Sequence, residues 1–182
     1  MTTPVTFISG ILAQIYTARQ LDLLHLSIIN LLDMIKDGEI DLVLEQTKKT
    51  AKEKKAFIQK IIDSVDSPEL AGALQPELDS NAVDFFLEKH LKEYLVQLQR
   101  EAEKMVSVKL TTAIEFKTKD VKEMAERLSH TLGKPTVLNL TVDHSLIAGA
   151  IVQYGNYITD YSLKVRLEQF RNHWEEAAIA KS

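Results

Sequence analysis

The chain has 182 residues, 45% hydrophobic and 26% charged, with six Gly, four Pro and no Cys. Such a length can hold one large domain or two small ones, and the missing cysteines exclude disulfides and thiol chemistry. The formal net charge of −4 is unevenly divided: residues 1–105 carry 12 Lys/Arg against 17 Asp/Glu, and residues 106–182 carry 10 against 9. An acidic first half is a poor footprint for nucleic acid, which is bound by a clustered basic face. The one basic run, Lys48 to Lys55, reads as a solvated helix start. No apolar run reaches the roughly 18 residues of a membrane span, so no direct membrane insertion is expected. Met1-Thr2-Thr3-Pro4 has no basic region, so neither a secretory signal nor an Arg-rich transit peptide is read there.

Residues 1–105 read as helix. Val5, Ile8, Ile11, Leu12 and Ile15 form a first apolar stripe. Leu21, Leu24, Ile28, Leu31, Leu32 and Ile35 form a second, ended by Asp37-Gly38. After a short piece from Ile40 to Leu44, Thr50-Ala51-Lys52-Glu53 fits a capping box ahead of Phe57, Ile58, Ile61, Ile62 and Val65. Pro68 and Pro76 bracket a weak segment around Leu70 and Leu74. Ser80 is expected to cap a long helix striped by Val83, Phe86, Leu87, Leu91, Tyr94, Leu98 and Met105. Several amphipathic helices joined by short connections imply a bundle.

The period changes near Met105. Val106, Val108 and Leu110 alternate with polar residues as a strand does. Thr118 is expected to cap a helix with Val121, Met124, Ala125, Leu128 and Leu132, stopped by Gly133-Lys134-Pro135. Val137 to Val142 alternates again. Apolar runs on either side of Gly155-Asn156 then predict a tight hairpin. Ser162 opens a last helix with Leu163, Leu167, Phe170 and Trp174 on one face. The expected class is α+β: a helical bundle over 1–105, then a small α/β domain over 106–182 in the order strand, helix, strand, hairpin, helix.

The sequence carries no motif of a known catalytic or metal chemistry. Gly149 and Gly155 are not followed by the Lys-Ser/Thr pair of a phosphate loop. His25, His90, His130, His144 and His173 lack metal-ligand spacing. Asp143-His144-Ser145 holds the residue types of a hydrolase triad, but adjacent residues cannot line up as nucleophile, base and orienter. No catalytic, cofactor-binding or metal site is expected. Phe170 and Trp174 have two readings, as core of the small domain or as an aromatic surface for a partner helix, and so does the Val5–Ile15 stripe, as a bundle helix or a groove for another chain's helix.

Three separated stretches resemble one family. Val106-Ser107-Val108-Lys109-Leu110-Thr111-Thr112-Ala113 is similar to its Val-x-Val-x-x-Thr-Ser-Ala strand. Leu132-Gly133-Lys134 is similar to its Leu-Gly-Lys. The run from Asp143 through Leu167 is similar to an Asp-Pro-Ser-Leu-Ile-Gly-Gly turn leading through a hairpin into Asp-x-Ser-x-x-x-x-Leu. Between Val106 and Trp174 the chain thus resembles the delta subunit of F-type ATP synthases, the bacterial counterpart of the oligomycin-sensitivity-conferring protein. It departs at His144, Ala148 and Tyr161; over 1–105 the similarity is one of helical type. The resemblance implies a non-catalytic stator subunit of a proton-translocating ATP synthase. Its N-terminal domain would bind alpha subunits of the catalytic head, and its C-terminal domain would bind the b subunit. It also implies a cytoplasmic protein peripheral to the inner face of the cell membrane. The partner-binding residues expected are Val5, Ile8, Ile11, Leu12 and Ile15 in the first domain and Tyr154, Tyr157, Val165 and Trp174 in the second. Competing readings are a peripheral-stalk stator protein of an archaeal or vacuolar-type rotary ATPase or of a flagellar export apparatus, and an α/β RNA-binding module.

Overall fold

The computed structural model describes residues 3–46, 50–80 and 83–179, with the side chains of these apart from 39, 83 and 174–179. The chain is α+β and divides into two compact units, Met1–Met105 and Val106–Ser182.

In the first unit each helix start has a local cause. Thr3 Oγ1 accepts from Thr6 N–H at 3.3 Å, and Pro4, whose absent N–H costs nothing there, opens α1 (Pro4–Leu12). Thr17 and Gln20 form a capping box ahead of α2 (Ala18–Lys36), which stops where Gly38 takes φ +70°. A short α3 (Glu39–Leu44) follows. The Thr50–Glu53 capping box is formed as the sequence predicts, with Thr50 N–H donating to Glu53 Oε2 at 2.7 Å, and α4 (Ala51–Asp63) runs from it.

Two elements differ from the reading of the sequence. The weak segment around Leu70 and Leu74 is a full helix, α5 (Pro68–Asp79): Ser67 caps it, Pro68 sits in its first turn, and Pro76 is accommodated inside. The long helix from Ser80 is not one helix. Ser80 is the C-cap of α5, Val83–Phe86 is a single 3-10 turn, and α6 (Glu88–Ala102) begins after Leu87, which is extended at φ −61° and ψ 141°. That break lets neighbouring Phe85 and Phe86 both turn inward, 5% and 2% exposed. Leu87 has no side-chain oxygen for a cap, so Asp41 Oδ1, reaching from α3, accepts from Glu88 N–H at 2.8 Å.

Ile11, Leu24, Ile28, Ile58, Leu70, Leu95 and Leu98 are fully buried together as the bundle core. Phe7, Phe85 and Tyr94 pack around one another with ring centroids 4.9 to 5.6 Å apart, in the tilted and edge-on geometries aromatic quadrupoles favour. Ser27, buried in the core, is paired: its Oγ accepts from Ser67 N–H at 2.9 Å; His25 Nε2 on the same helix is buried without a hydrogen-bond partner.

The second unit is a four-stranded sheet in the order β2-β1-β3-β4. The strands are β1 (Val106–Thr112), β2 (Thr136–Val142), β3 (Ala150–Tyr154) and β4 (Tyr157–Asp160). β1 and β2 are parallel, with Val108 opposite Leu138 and Leu110 opposite Leu140; β3 pairs antiparallel to β1 with Val152 opposite Leu110. A parallel pair needs a crossover, and α7 (Thr118–Leu132) supplies it, burying Val121 and Ala125 and lying on β2. Its N-cap is Lys117, with no side-chain cap bond; Thr118 is instead the first helical residue. Gly133 at φ +64° ends it. The hairpin closes as expected, Tyr154 facing Tyr157 across Gly155-Asn156, with Gly155 at φ +56°. α8 (Leu163–Ile179) ends the unit.

Candidate functional site

The densest set of unusual contacts lies between β2 and α8. Asp143 N–H donates to Thr112 O at 2.8 Å, tying the loop to the end of β1. Asp143 Oδ1 accepts from Ser145 N–H at 2.9 Å. His144 Nδ1 lies 2.9 Å from Ala113 O; a carbonyl can only accept, so the proton belongs on Nδ1. Leu146 turns inward, 6% exposed, and anchors the loop.

The next residue bears the cost. Ile147 has φ +63° and ψ −56°, and Ala148 N–H donates to Leu146 O across it at 2.6 Å. This is the rarer, strained form of γ-turn, most unfavourable for a β-branched residue. Gly149 follows at φ +91°, so close beneath the chain that a Cβ would stand 2.4 Å from Tyr161 O and 2.8 Å from Ser162 Cα. Tyr161 N–H to Ala150 O, 2.8 Å, and Leu163 N–H to Ala148 O, 2.9 Å, hold the two segments together. On the far side Asp160 Oδ1 accepts from Ser162 N–H at 2.7 Å, and buried Ser162 opens α8, its Oγ accepting from Val165 N–H at 3.4 Å. The residues with triad chemistry are therefore parts of a turn.

The two carboxylates leave a pH signature. Hydrogen bonds from the hydroxyl and then the N–H of Ser145 hold the Asp143 carboxyl below its ordinary range, and Ser162 does the same for Asp160. A carboxylate depressed by folding adds stability above its unfolded pKa, about 4, and loses it as pH falls through the depressed folded value. Urea midpoints of the wild type and an Asp143→Ala/Asp160→Ala chain should therefore differ at neutral pH and approach each other below pH about 4. A gap that stays constant into acid would remove the carboxylates from this account.

The expected partner residues fall in different environments. Val5 is 68% exposed, Leu12 is half-buried, and Ile8, Ile11 and Ile15 lie in the bundle core at 4%, 0% and 2%. Those three side chains are packed into the bundle. The inward face of α1 is Phe7, Ile8 and Ile11, one position round from a stripe through Val5. In the second unit Tyr157 is 78% exposed, Tyr154 and Val165 are half-buried, and the Trp174 side chain lies outside the described residues. The core reading of Phe170 fails: it is 62% exposed, and Leu167 on the same face is 53% exposed. The sheet core is closed by α7 and Leu146, which leaves that stripe of α8 exposed. Among the described residues, no group of three or more His, Cys, Asp or Glu could hold a metal, and no helix is long and apolar enough to cross a membrane.

The family described as ATP synthase delta (OSCP) subunit matches residues 12–174. The chain belongs to this family. Its similarity to individual delta subunits is moderate. It is 38% identical to ATP synthase subunit delta of Fuscovulum blasticum over 39% of this chain and 38% of that one. It is 30% identical to that of Xylella fastidiosa strain M12 over 59% of this chain and 67% of that one. With that of Chloroherpeton thalassium it shares 23% over 80% and 79%. The aligned part of the chain spans 44% of the length of subunit delta 1 of Vibrio atlanticus, so some delta-family relatives are matched over less than half their length. A chain of the Toxoplasma gondii mitochondrial ATP synthase hexamer aligns over 96% of this chain and 98% of that one, at 15% identity and a TM-score of 0.37, a likeness too distant to bear on the fold.

Proposed function

We propose that this delta-family chain is a non-catalytic stator subunit of a rotary ATP synthase. Residues 1–105 would hold alpha subunits of the catalytic head, and residues 106–182 the b subunit. The observation that carries the reading is the family match across residues 12–174, which reaches into both units and not the second alone. A rotary motor delivers torque only if its head is held still against the membrane sector. The holding part needs two durable interfaces and no chemistry. In the first unit Val5 and half-buried Leu12 would meet the head, with Ile8, Ile11 and Ile15 supporting them from within. In the second, Tyr157 and the exposed face of α8 would meet the b subunit, and Tyr154, Val165 and Trp174 would share that contact. The chain would then act on the inner side of the cell membrane, within the complex and without entering the bilayer.

Isolation of the tagged chain from native membranes tests this directly. Alpha, beta and b subunits should come with it. Deletion of residues 106–182 should abolish b association and uncouple the enzyme, so that ATP hydrolysis continues while proton pumping stops. Coupled pumping that survives the deletion would overturn the proposal.

A further inference from the structure

We infer that β4 is a docking edge for a second copy of this chain, the two β4 strands pairing antiparallel about a two-fold axis at Thr159; the pairing does not rest on the stator reading above. β4 ends the sheet and is exposed along its whole length, Tyr157 by 78% and Ile158 by 66%. Tyr154 and Tyr157 flank the two-residue turn, and Tyr161 N–H donates to Ala150 O at 2.8 Å. Hydrogen-bonded pairs alternate along an antiparallel ladder, so Tyr157 and Thr159 direct their main-chain groups to β3. The N–H and C=O of Ile158 and Asp160 therefore point away from the sheet. Such an edge is a template for another strand, and natural edges are blunted by Lys, Pro or a bulge. β4 carries none of these. At the opposite edge, in β2, Thr136 N–H is taken by Ser129 Oγ at 2.9 Å, and Thr136, Val137 and Leu138 are buried.

The residues of β4 are complementary to themselves in one register. Outward main-chain groups must face outward main-chain groups, which allows two-fold axes at Ile158, Thr159 or Asp160. An axis at Asp160 sets two carboxylates directly opposite each other, a destabilising pair. An axis at Ile158 sets Asp160 against Asn156 in the turn, beyond the end of the strand. The axis at Thr159 gives the longest ladder, over residues 157–161. In it Ile158 exchanges both bonds with Asp160 of the second copy, Thr159 meets Thr159, and Tyr157 meets Tyr161, which is 56% exposed. Threonine pairs and aromatic pairs of this kind stabilise a sheet. No like charges stand opposite each other, and each Asp160 carboxylate keeps its own Ser162 N–H at 2.7 Å. So short a ladder buries well under the roughly 1,200 Å² of a stable interface, so the pairing is weak and reversible. The stator reading has Tyr157 meeting the b subunit, which makes the paired form a state of the chain outside the complex.

Sedimentation equilibrium of the full chain tests this. The apparent mass should rise from that of one chain toward that of two between about 10 μM and about 1 mM, the weak range of a small interface. Thr159→Lys and Thr159→Glu each bring like charges together at the axis. Either should weaken pairing by about tenfold at low salt. Thr159 is exposed, so the urea midpoint of each variant should match that of the wild type. An equimolar mixture of the two variants should regain a dimer holding one copy of each, because the new ammonium then faces the new carboxylate. A wild-type chain that stays monomeric across the range overturns the inference and leaves the edge for a strand of another protein. Dimers indifferent to both substitutions overturn it as well, and so do variants that stay apart when mixed.

Discussion

Ile8→Asp should unfold the N-terminal helical unit at room temperature. Ile8 is 4% exposed on the inward face of α1, beside Phe7 and Ile11. Removing its side chain forfeits about 2–5 kcal/mol of burial and cavity energy. The carboxylate that replaces it adds a desolvation cost of several kcal/mol more, or else takes up a proton. The sum is comparable with the whole stability of a small domain, about 5–15 kcal/mol. Far-UV circular dichroism should therefore show a large loss of helix, and Ile8→Val should cost only about 1 kcal/mol. The substitution consequently reports on folding and not on head binding. Val5→Asp, at a 68% exposed site on the same helix, is the variant that tests the proposed head contact without touching the core. An Ile8→Asp chain that kept its helix content and melting temperature would show that the face assignment of α1 is wrong.

The element order of the second unit is legible in the sequence because each element announces itself locally. β1 and β2 alternate with period two, α7 repeats at 3.6 and stops at Gly133, and Gly155-Asn156 marks the hairpin. Boundaries set by tertiary partners are not legible. The start of α6 depends on Asp41, 47 positions away in sequence, and nothing near Leu87 hints at it. The reach of α5 is hidden because its two prolines read as breaks, although a proline in the first turn is harmless and the second is tolerated within a buried helix. On α1 periodicity alone admits a stripe through Val5 when Phe7 is the buried residue, because a nine-residue helix fixes its face too loosely to distinguish neighbouring stripes.

The candidate site is legible as a motif and not as a surface. The Asp143–Leu167 run can be found by its residues, but the strain at Ile147 cannot, since an Ile in a sequence carries no sign of a positive φ. The apolar stripe of α8 is visible and its exposure is not. Leu163, Leu167 and Phe170 show the same spacing whether their cover comes from the chain's own sheet or from another protein. Amphipathicity states that a helix has a buried face in its working state, not which molecule buries it.

Gly149→Ala should be the most damaging single-methyl change in the second unit. The backbone at φ +91° lies outside the region an L side chain occupies comfortably, which alone costs about 1–3 kcal/mol. The added methyl would also stand 2.4 Å from Tyr161 O, 2.8 Å from Ser162 Cα and 3.1 Å from Tyr161 C. All three atoms are backbone, so no side chain can rotate away, and the segment 160–163 must move. That movement stretches Tyr161 N–H to Ala150 O and Leu163 N–H to Ala148 O, the two bonds that set the start of α8. Overpacking of this kind adds about 1–3 kcal/mol. Gly155→Ala is the matched control: its φ is also positive, at +56°, but nothing lies within 4 Å of the new methyl. It should cost only the conformational part, about 1–2 kcal/mol. Urea unfolding of the full chain, followed through amide signals of β1 and β3, should rank Gly149→Ala below Gly155→Ala by about 2 kcal/mol. Equal costs at the two glycines would mean that the close approach of 149 to 161–162 does not hold the C-terminal unit together.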